Sequence, residues 1–358
     1  MADKFAAAAI SPIKSAFRAA ALIGTLAMAI SATAAEKAAS PDTASEAKPA
    51  QCAGADMIAE LATTAPDIHK KVMEEAARYA NTEAVLWKVE RAGLEPSYLF
   101  GTMHLSDPRL TTLSPAVKDA IRATSTLALE VADLSESALA PAIAKAGDLI
   151  VYSDGRKLSE FLTPDEFAKV QSVVGRSGMP GEFAGLFRPW LINMLLAMSD
   201  CERKQVASGA PVLDMKIAEV AQKQGMTVIG LETIEQQLGA LASVPEDQQI
   251  HMLKVGLKYA DRADDMMETM VQLYQKRQLG AALPFQLALA KLNGAPDTTF
   301  DGFKEMLLVE RNFRMRDASR PALDKGKVFI AVGALHLPGS TGLVSLLREA
   351  GFTVTPVE

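Results

Sequence analysis

Tyr98-Leu-Phe-Gly-Thr-Met-His-Leu105 and, near the other end of the chain, Val328-Phe-Ile-Ala-Val-Gly-Ala-Leu-His-Leu337 decide how this sequence folds. Each runs a short apolar segment into Gly-x-x-His-Leu. Four to six consecutive apolar residues suit a strand buried on both faces. Glycine at the strand's end permits a sharp turn or a close approach of backbone to a neighbour. The histidine three residues later then leaves the loop at the C-terminal edge of the sheet, where open α/β sheets build their sites. The chain has four histidines, and two of them occupy this matching position. One such segment alone reads equally well as an ordinary strand and turn. The pair points to a shared site.

Working outward, Ala84 to Arg91 carries Val85, Leu86, Trp87 and Val89, and the turn Gly93-Leu-Glu-Pro96 joins it to the first segment as an N-terminal hairpin with a loop of about five residues. After His104, Ser114-Pro115 supplies an N-cap and a first-turn proline for a helix running to about Ala123. Thr126-Leu-Ala-Leu-Glu-Val131 follows as a strand with Glu130 near its end. A right-handed crossover makes this strand parallel to the first. If the two are neighbours, about 4.8 Å apart, Glu130 comes within reach of His104; the plainer reading is a strand-end glutamate facing water. Past His336, Gly339-Ser340 starts a second helix that includes Leu343 to Glu349, and Phe352 to Pro356 closes the chain as a strand. The fold class is therefore α/β, with a mainly parallel central sheet built from two β-Gly-x-x-His-α-β units, an N-terminal hairpin and a large helical insertion over about 138–292.

Within the insertion, Thr163-Pro164-Asp165-Glu166 begins a helix through its proline and acids, without a capping box, and Gln248 to Leu279 reads as one long helix. His251 lies on that helix in a packing role, and Met266, Met267 and Met270 repeat at helical spacing as core or groove lining. His69, beside Lys70 and Lys71, reads as a helix-surface residue. The strand Thr227 to Leu231 interrupts the helices, and Glu232 just beyond it is a second acidic site candidate. A helix from Phe303 to about Ala318 places Arg311 and Arg314 on one face.

Hydrophobic residues make up 49% of the 358 and charged residues 22%, with a net charge of −6. Those are the proportions of an ordinary globular chain, and no basic block suits nucleic acid. Residues 1–34 read as a signal peptide: basic Lys4, Lys14 and Arg18, an apolar run from Ala19 to Ala32, and small residues at Ala32-Thr33-Ala34. The run falls short of the roughly 20 residues of a membrane span, so no stable membrane insertion follows cleavage and the mature protein is periplasmic or secreted. Residues 35–54 read as a disordered spacer, and 55–358 as a single α/β domain. Cys52 and Cys201, both beyond the cleavage point, suggest one disulfide tying the N-terminal segment to the middle of the chain.

Two neutral imidazoles, His104 and His336, with the carboxylate of Glu130 suit a divalent metal with open positions, which is a hydrolytic arrangement. The same residues also suit metal-free acid/base work, with one histidine as base and Glu130 orienting it. A nearby arginine can neutralise an oxyanion or grip a carboxylate. No serine or cysteine elbow, phosphate loop or dinucleotide fingerprint is present, which disfavours covalent catalysis.

Leu99-Phe-Gly-Thr-Met-His-Leu105, Gly230-Leu-Glu-Thr233, Glu310-Arg-Asn312 and Gly333-Ala-Leu-His-Leu-Pro-Gly339 resemble the signature segments of the TraB/GumN family, which includes the Tiki proteases. The resemblance spans roughly Leu86 to the C-terminus. It implies the α/β core of the erythromycin-esterase and haem-iron-release fold group. It also implies a metal-dependent peptidase site at His104, His336, Glu130 and Arg311, with Arg314 the other arginine to weigh. The metal implied is a divalent ion, with manganese, cobalt and zinc all plausible. The expected activity is an exported metal-dependent hydrolase acting on peptides or small molecules. The alternative is a non-catalytic accessory or ligand-binding protein of the cell envelope, tied to polysaccharide export or signalling peptides.

Overall fold

Val328 to Val332 is apolar without a break, and a strand so composed is stable only with both faces covered. In the computed structural model, which describes residues 52–358, this strand lies inside a six-stranded mixed sheet. The expected signal peptide and the spacer up to residue 51 lie outside the described residues. The strands are β1 (Leu86–Glu90), β2 (Ser97–Thr102), β3 (Thr126–Leu129), β4 (Thr227–Gly230), β5 (Val328–Gly333) and β6 (Thr353–Pro356), in the spatial order β4-β3-β5-β2-β1-β6. Strands β4, β3, β5 and β2 are mutually parallel, and β1 pairs antiparallel with β2 and β6. The hairpin β1–β2 is the expected one.

The order corrects one expectation. β2 and β3 are not neighbours, because β5 lies between them, with Ala331 in register with both Phe100 and Leu129. β6 likewise lies beyond β1 rather than beside β5, so the two strands of each Gly-x-x-His segment do not pair with one another. The burial pattern gives the reason. β5 is buried at its first five positions, whereas β4 and β6 alternate or face water and can serve as edges. The C-terminal ends of β2, β3 and β5 thus meet at one edge with β5 in the middle.

The helices are α1 (Met57–Thr64), α2 (Pro66–Ala76), α3 (Pro115–Arg122), α4 (Glu136–Lys145), α5 (Pro164–Arg176), α6 (Pro189–Ala197), α7 (Asp200–Ala207), α8 (Leu213–Lys223), α9 (Ile234–Ser243), α10 (Glu246–Lys258), α11 (Ala263–Gln275), α12 (Ala282–Leu292), α13 (Glu310–Leu323) and α14 (Leu343–Glu349). Adjacent strand residues point to opposite faces. Leu86, Phe100, Leu127 and Phe329 therefore pack on Ile121 of α3, Ile217 of α8 and Val271 of α11. Trp87, Leu99, Ile330 and Val332 pack on Met315 of α13 and Val344 of α14. A separate core within the insertion joins Ile143, Val174, Trp190 and Leu253.

Ser114 caps α3 as expected, its hydroxyl accepting from the Val117 N–H at 3.2 Å. At Thr163 a capping box does close, with Glu166 N–H to Thr163 Oγ1 at 3.3 Å and Thr163 N–H to Glu166 Oε2 at 2.8 Å. The Thr-x-x-Glu spacing is the one this reciprocal pair requires. The long helix expected over Gln248 to Leu279 breaks at a short turn, Ala260–Arg262, and restarts with Asp264 and Asp265 in its first turn, where acids favour a helix N-terminus. His69 and His251 are half-buried on α2 and α10. Met266 and Met270 pack with Met57 and Phe285. Cys52 and Cys201 form the expected disulfide. No helix among the described residues is long and apolar enough to cross a membrane.

Candidate functional site

The glycine that ends each central strand is there for space. Neither Gly101 nor Gly333 has a positive φ, so a left-handed turn is not the reason for either. A Cβ on Gly101 would lie 3.0 Å from Ala334 Cα and 3.0 Å from Leu337 Cδ2; the second Gly-x-x-His turn packs directly over the first. A Cβ on Gly333 would lie 3.2 Å from Glu130 Oε1, 3.5 Å from His336 Cδ2 and 3.9 Å from His104 Nε2. The three expected site residues therefore surround one small hollow, although His336 is more than 200 residues along the chain from the other two.

His336 is buried, and its Nδ1 lies 2.7 Å from Asn312 Oδ1. The Asn312 amide donates through Nδ2 to the Thr341 carbonyl at 2.8 Å, which turns its oxygen toward the imidazole. Nδ1 must then be the donor, leaving the Nε2 lone pair free. Nε2 lies 3.8 Å from Glu130 Oε1. Burial pulls this imidazole down to about 4, against the pull of the Glu130 carboxylate, so it is neutral at pH 7.

His104 presents a 61% exposed ring whose Nδ1 lies 2.8 Å from Asp214 Oδ2. The Asp214 carboxylate raises this imidazole to about 9, a pull that water on the exposed face screens. The other Asp214 oxygen accepts from Thr102 Oγ1 at 2.7 Å.

Among the described residues, Glu130 accepts three hydrogen bonds, which leaves Oε1 with acceptor capacity. Its Oε1 accepts from the Gly333 N–H at 2.7 Å, and its Oε2 accepts from Arg311 Nη2 at 2.6 Å and Gln237 Nε2 at 3.0 Å. Burial alone would raise its pKa, but His336, His104, Arg311 and the Gly333 N–H together hold it at about 2.

Arg311 stands immediately beyond a π-helical stretch, Lys304–Val309, that leads into α13. Such single-turn π segments recur at functional sites. Its guanidinium spans two acids, Glu130 and Glu232, with Nε 2.9 Å from Glu232 Oε2. Glu232 has a fully buried side chain and holds the arginine rather than facing the hollow; Arg314 is 3.9 Å from its other oxygen.

The first turn is braced from outside. Ser106 donates its N–H and hydroxyl to Glu202 at 2.6 and 2.9 Å, and Tyr274 donates to the Gly101 carbonyl at 2.7 Å. Arg109 pairs with both Asp107 and Glu268.

Imidazole nitrogens and a carboxylate are a donor set that suits a transition-series divalent ion, and both histidines are held through Nδ1 in the way metal-ligating imidazoles usually are. The groups are more spread than a closed cage. Among the described residues, the one set of His, Cys, Asp or Glu donor atoms all within 4.8 Å of one another is Cys52, Cys201 and Asp264, and its sulfurs are spent in the disulfide. A cavity of about 290 Å³ is lined in part by Asn312, Leu335 and Thr341, and not by His104, Glu130 or His336.

Sequence reading missed Asp214, Asn312 and Gln237. Asn312 sits within the quoted segment Glu310-Arg-Asn312, and Asp214 opens a helix that follows Pro211, but neither position announces its partner.

The sequence pattern of the TraB/PrgY/gumN family matches residues 85–356. The chain belongs to this family. TraB/PrgY/gumN relatives include the uncharacterized protein YbaP of Shigella flexneri, 24% identical over 259 residues that cover 72% of this chain and 89% of YbaP. Metalloprotease TIKI1 of Danio rerio is 23% identical over 318 residues, covering 77% of this chain and 63% of TIKI1. Metalloprotease TIKI2 of the same fish is 24% identical over 314 residues, covering 75% of this chain and 60% of TIKI2. The chain thus spans less than two thirds of the length of either Tiki protein. No solved structure matches it significantly.

Proposed function

We propose that this chain is an exported, metal-dependent hydrolase that cleaves peptides. The observation that carries the reading is the hollow at Gly333, ringed by His104 Nε2, Glu130 Oε1 and the His336 ring. In this reading His104, His336 and Glu130 hold a divalent ion such as manganese, cobalt or zinc. When bound, it supplies an acidified water and a polarised carbonyl. Asn312 and Asp214 orient the two imidazoles so that Nε2 of each is available. Arg311 sits 2.6 Å from Glu130, close enough for its guanidinium to neutralise charge developing on a substrate oxygen. A peptide substrate is suggested by the metalloprotease names of the Tiki relatives. Export is suggested by the basic, then apolar leader and by the disulfide, which persists in an oxidising compartment.

The test is a peptide-library digest by purified residues 35–358 loaded in turn with Mn²⁺, Co²⁺ and Zn²⁺. Cleavage that falls by about 100-fold or more in Glu130→Gln and disappears on chelation supports the reading. The three hydrogen bonds that Glu130 already accepts from the protein favour a second reading, a ligand-binding accessory protein of the envelope. A metal-loaded wild type that leaves every peptide intact selects that one.

A further inference from the structure

The helical insertion does more than cover the sheet edge: its α8 reaches the first Gly-x-x-His turn. Leu213 N–H donates to the Leu105 carbonyl at 3.0 Å. The next residue, Asp214, divides its oxygens between Thr102 Oγ1 at 2.7 Å and His104 Nδ1 at 2.8 Å. Thr102 is buried at the end of β2 and Asp214 is 20% exposed, so the carboxylate is anchored by the sheet before it meets the ring. An ionised carboxylate can only accept, which fixes Nδ1 of His104 as the donor and leaves Nε2 directed at the hollow. Among the described residues His104 has no other side-chain hydrogen-bond partner, whereas His336 is fixed by the buried Asn312.

We propose that Asp214 is the positioning residue for His104: it sets the ring's tautomer and aim, so that α8 of the insertion, like α9 through Gln237, reaches the site at the sheet edge. The proposal rests on the metal-dependent reading above only for its consequence, since the tautomer can be read without any metal.

The experiment measures Mn²⁺ binding by calorimetry on the wild type, Asp214→Ala and Asp214→Asn, with thermal melts to confirm folding. Loss of an outer partner of this kind typically lowers metal affinity 10–100-fold, and that loss is expected for Asp214→Ala. Asp214→Asn, whose amide oxygen can still accept from Nδ1, should restore part of the affinity. Wild-type affinity in Asp214→Ala, or an Asp214→Asn variant that binds no better than Asp214→Ala, would overturn the proposal. If the wild type binds none of Mn²⁺, Co²⁺ and Zn²⁺, the metal-dependent reading fails, and ¹⁵N-histidine spectra at pH 10 decide this proposal alone. A His104 Nδ1–H tautomer in the wild type that is lost in Asp214→Ala supports it. Equal tautomer populations in the two proteins overturn it.

Discussion

A single hydrogen atom at position 333 keeps the hollow open. The backbone there has φ −50° and ψ 134°, which any residue can adopt, so Gly333→Ala tests space without backbone strain. Its methyl would crowd Glu130 Oε1 at 3.2 Å. The expected result is a folded protein, destabilised by about 1–3 kcal/mol, whose Mn²⁺ affinity and peptide cleavage fall at least tenfold; undiminished binding would show that the ion sits elsewhere. His336 gives a second test through pH. Its folded pKa is held near 4 by burial, below the ordinary 6.5. Between those values the unfolded chain takes up a proton that the folded chain refuses, so stability falls as pH drops from about 6.5 to 4. Glu130, held at about 2 against an ordinary 4.5, adds a further loss between about 4.5 and 2. Urea unfolding of metal-free protein at several pH values should show the upper loss in the wild type and not in His336→Gln. Identical pH profiles would rule out His336 as its source. Both histidines and Glu130 were legible as residues, because a strand-end His or Glu in an apolar run is conspicuous, whereas Arg311 came from the family resemblance. Their partners were not: Asp214 and Gln237 sit on unremarkable amphipathic helices, and only the folded geometry brings them to the turn.

Among the elements, α7 links the disulfide to the site. Cys201 and Glu202 are consecutive, and Glu202 holds the loop just after His104 through two hydrogen bonds to Ser106. Glu202→Ala leaves the Ser106 N–H without its partner and should cost roughly 1–3 kcal/mol. It should also loosen the loop, seen as faster amide exchange over residues 104–107; exchange unchanged there would mean that the loop is held by Arg109 and Tyr274 alone. Reducing the disulfide opens a covalent tie across 149 residues, for which chain entropy suggests a loss of about 3–5 kcal/mol, measurable as a fall in melting temperature with dithiothreitol. An unmoved melting temperature in fully reduced protein would argue against that contribution. The strands and most helices were readable from apolar runs, caps and prolines. The sheet order was not, since local pattern says which segments are strands but not that the last central strand inserts between the first two parallel ones.

For the whole molecule, the insertion of β5 between β2 and β3 is what makes one site from two distant motifs. Had β2 and β3 been neighbours, Glu130 would have stood beside His104 with His336 to one side. With β5 between them, Gly333 lies at the centre and its N–H is the donor that orients Glu130. The most direct measurement is therefore the stoichiometry of Mn²⁺ bound by residues 35–358, compared with His104→Ala and His336→Ala shown to be folded by circular dichroism. The arrangement predicts about one ion per chain in the wild type and its loss in each variant, as two-sided coordination by both ends of the chain requires. A wild type that binds no divalent ion under any loading condition, or variants that keep it, would contradict a shared metal site.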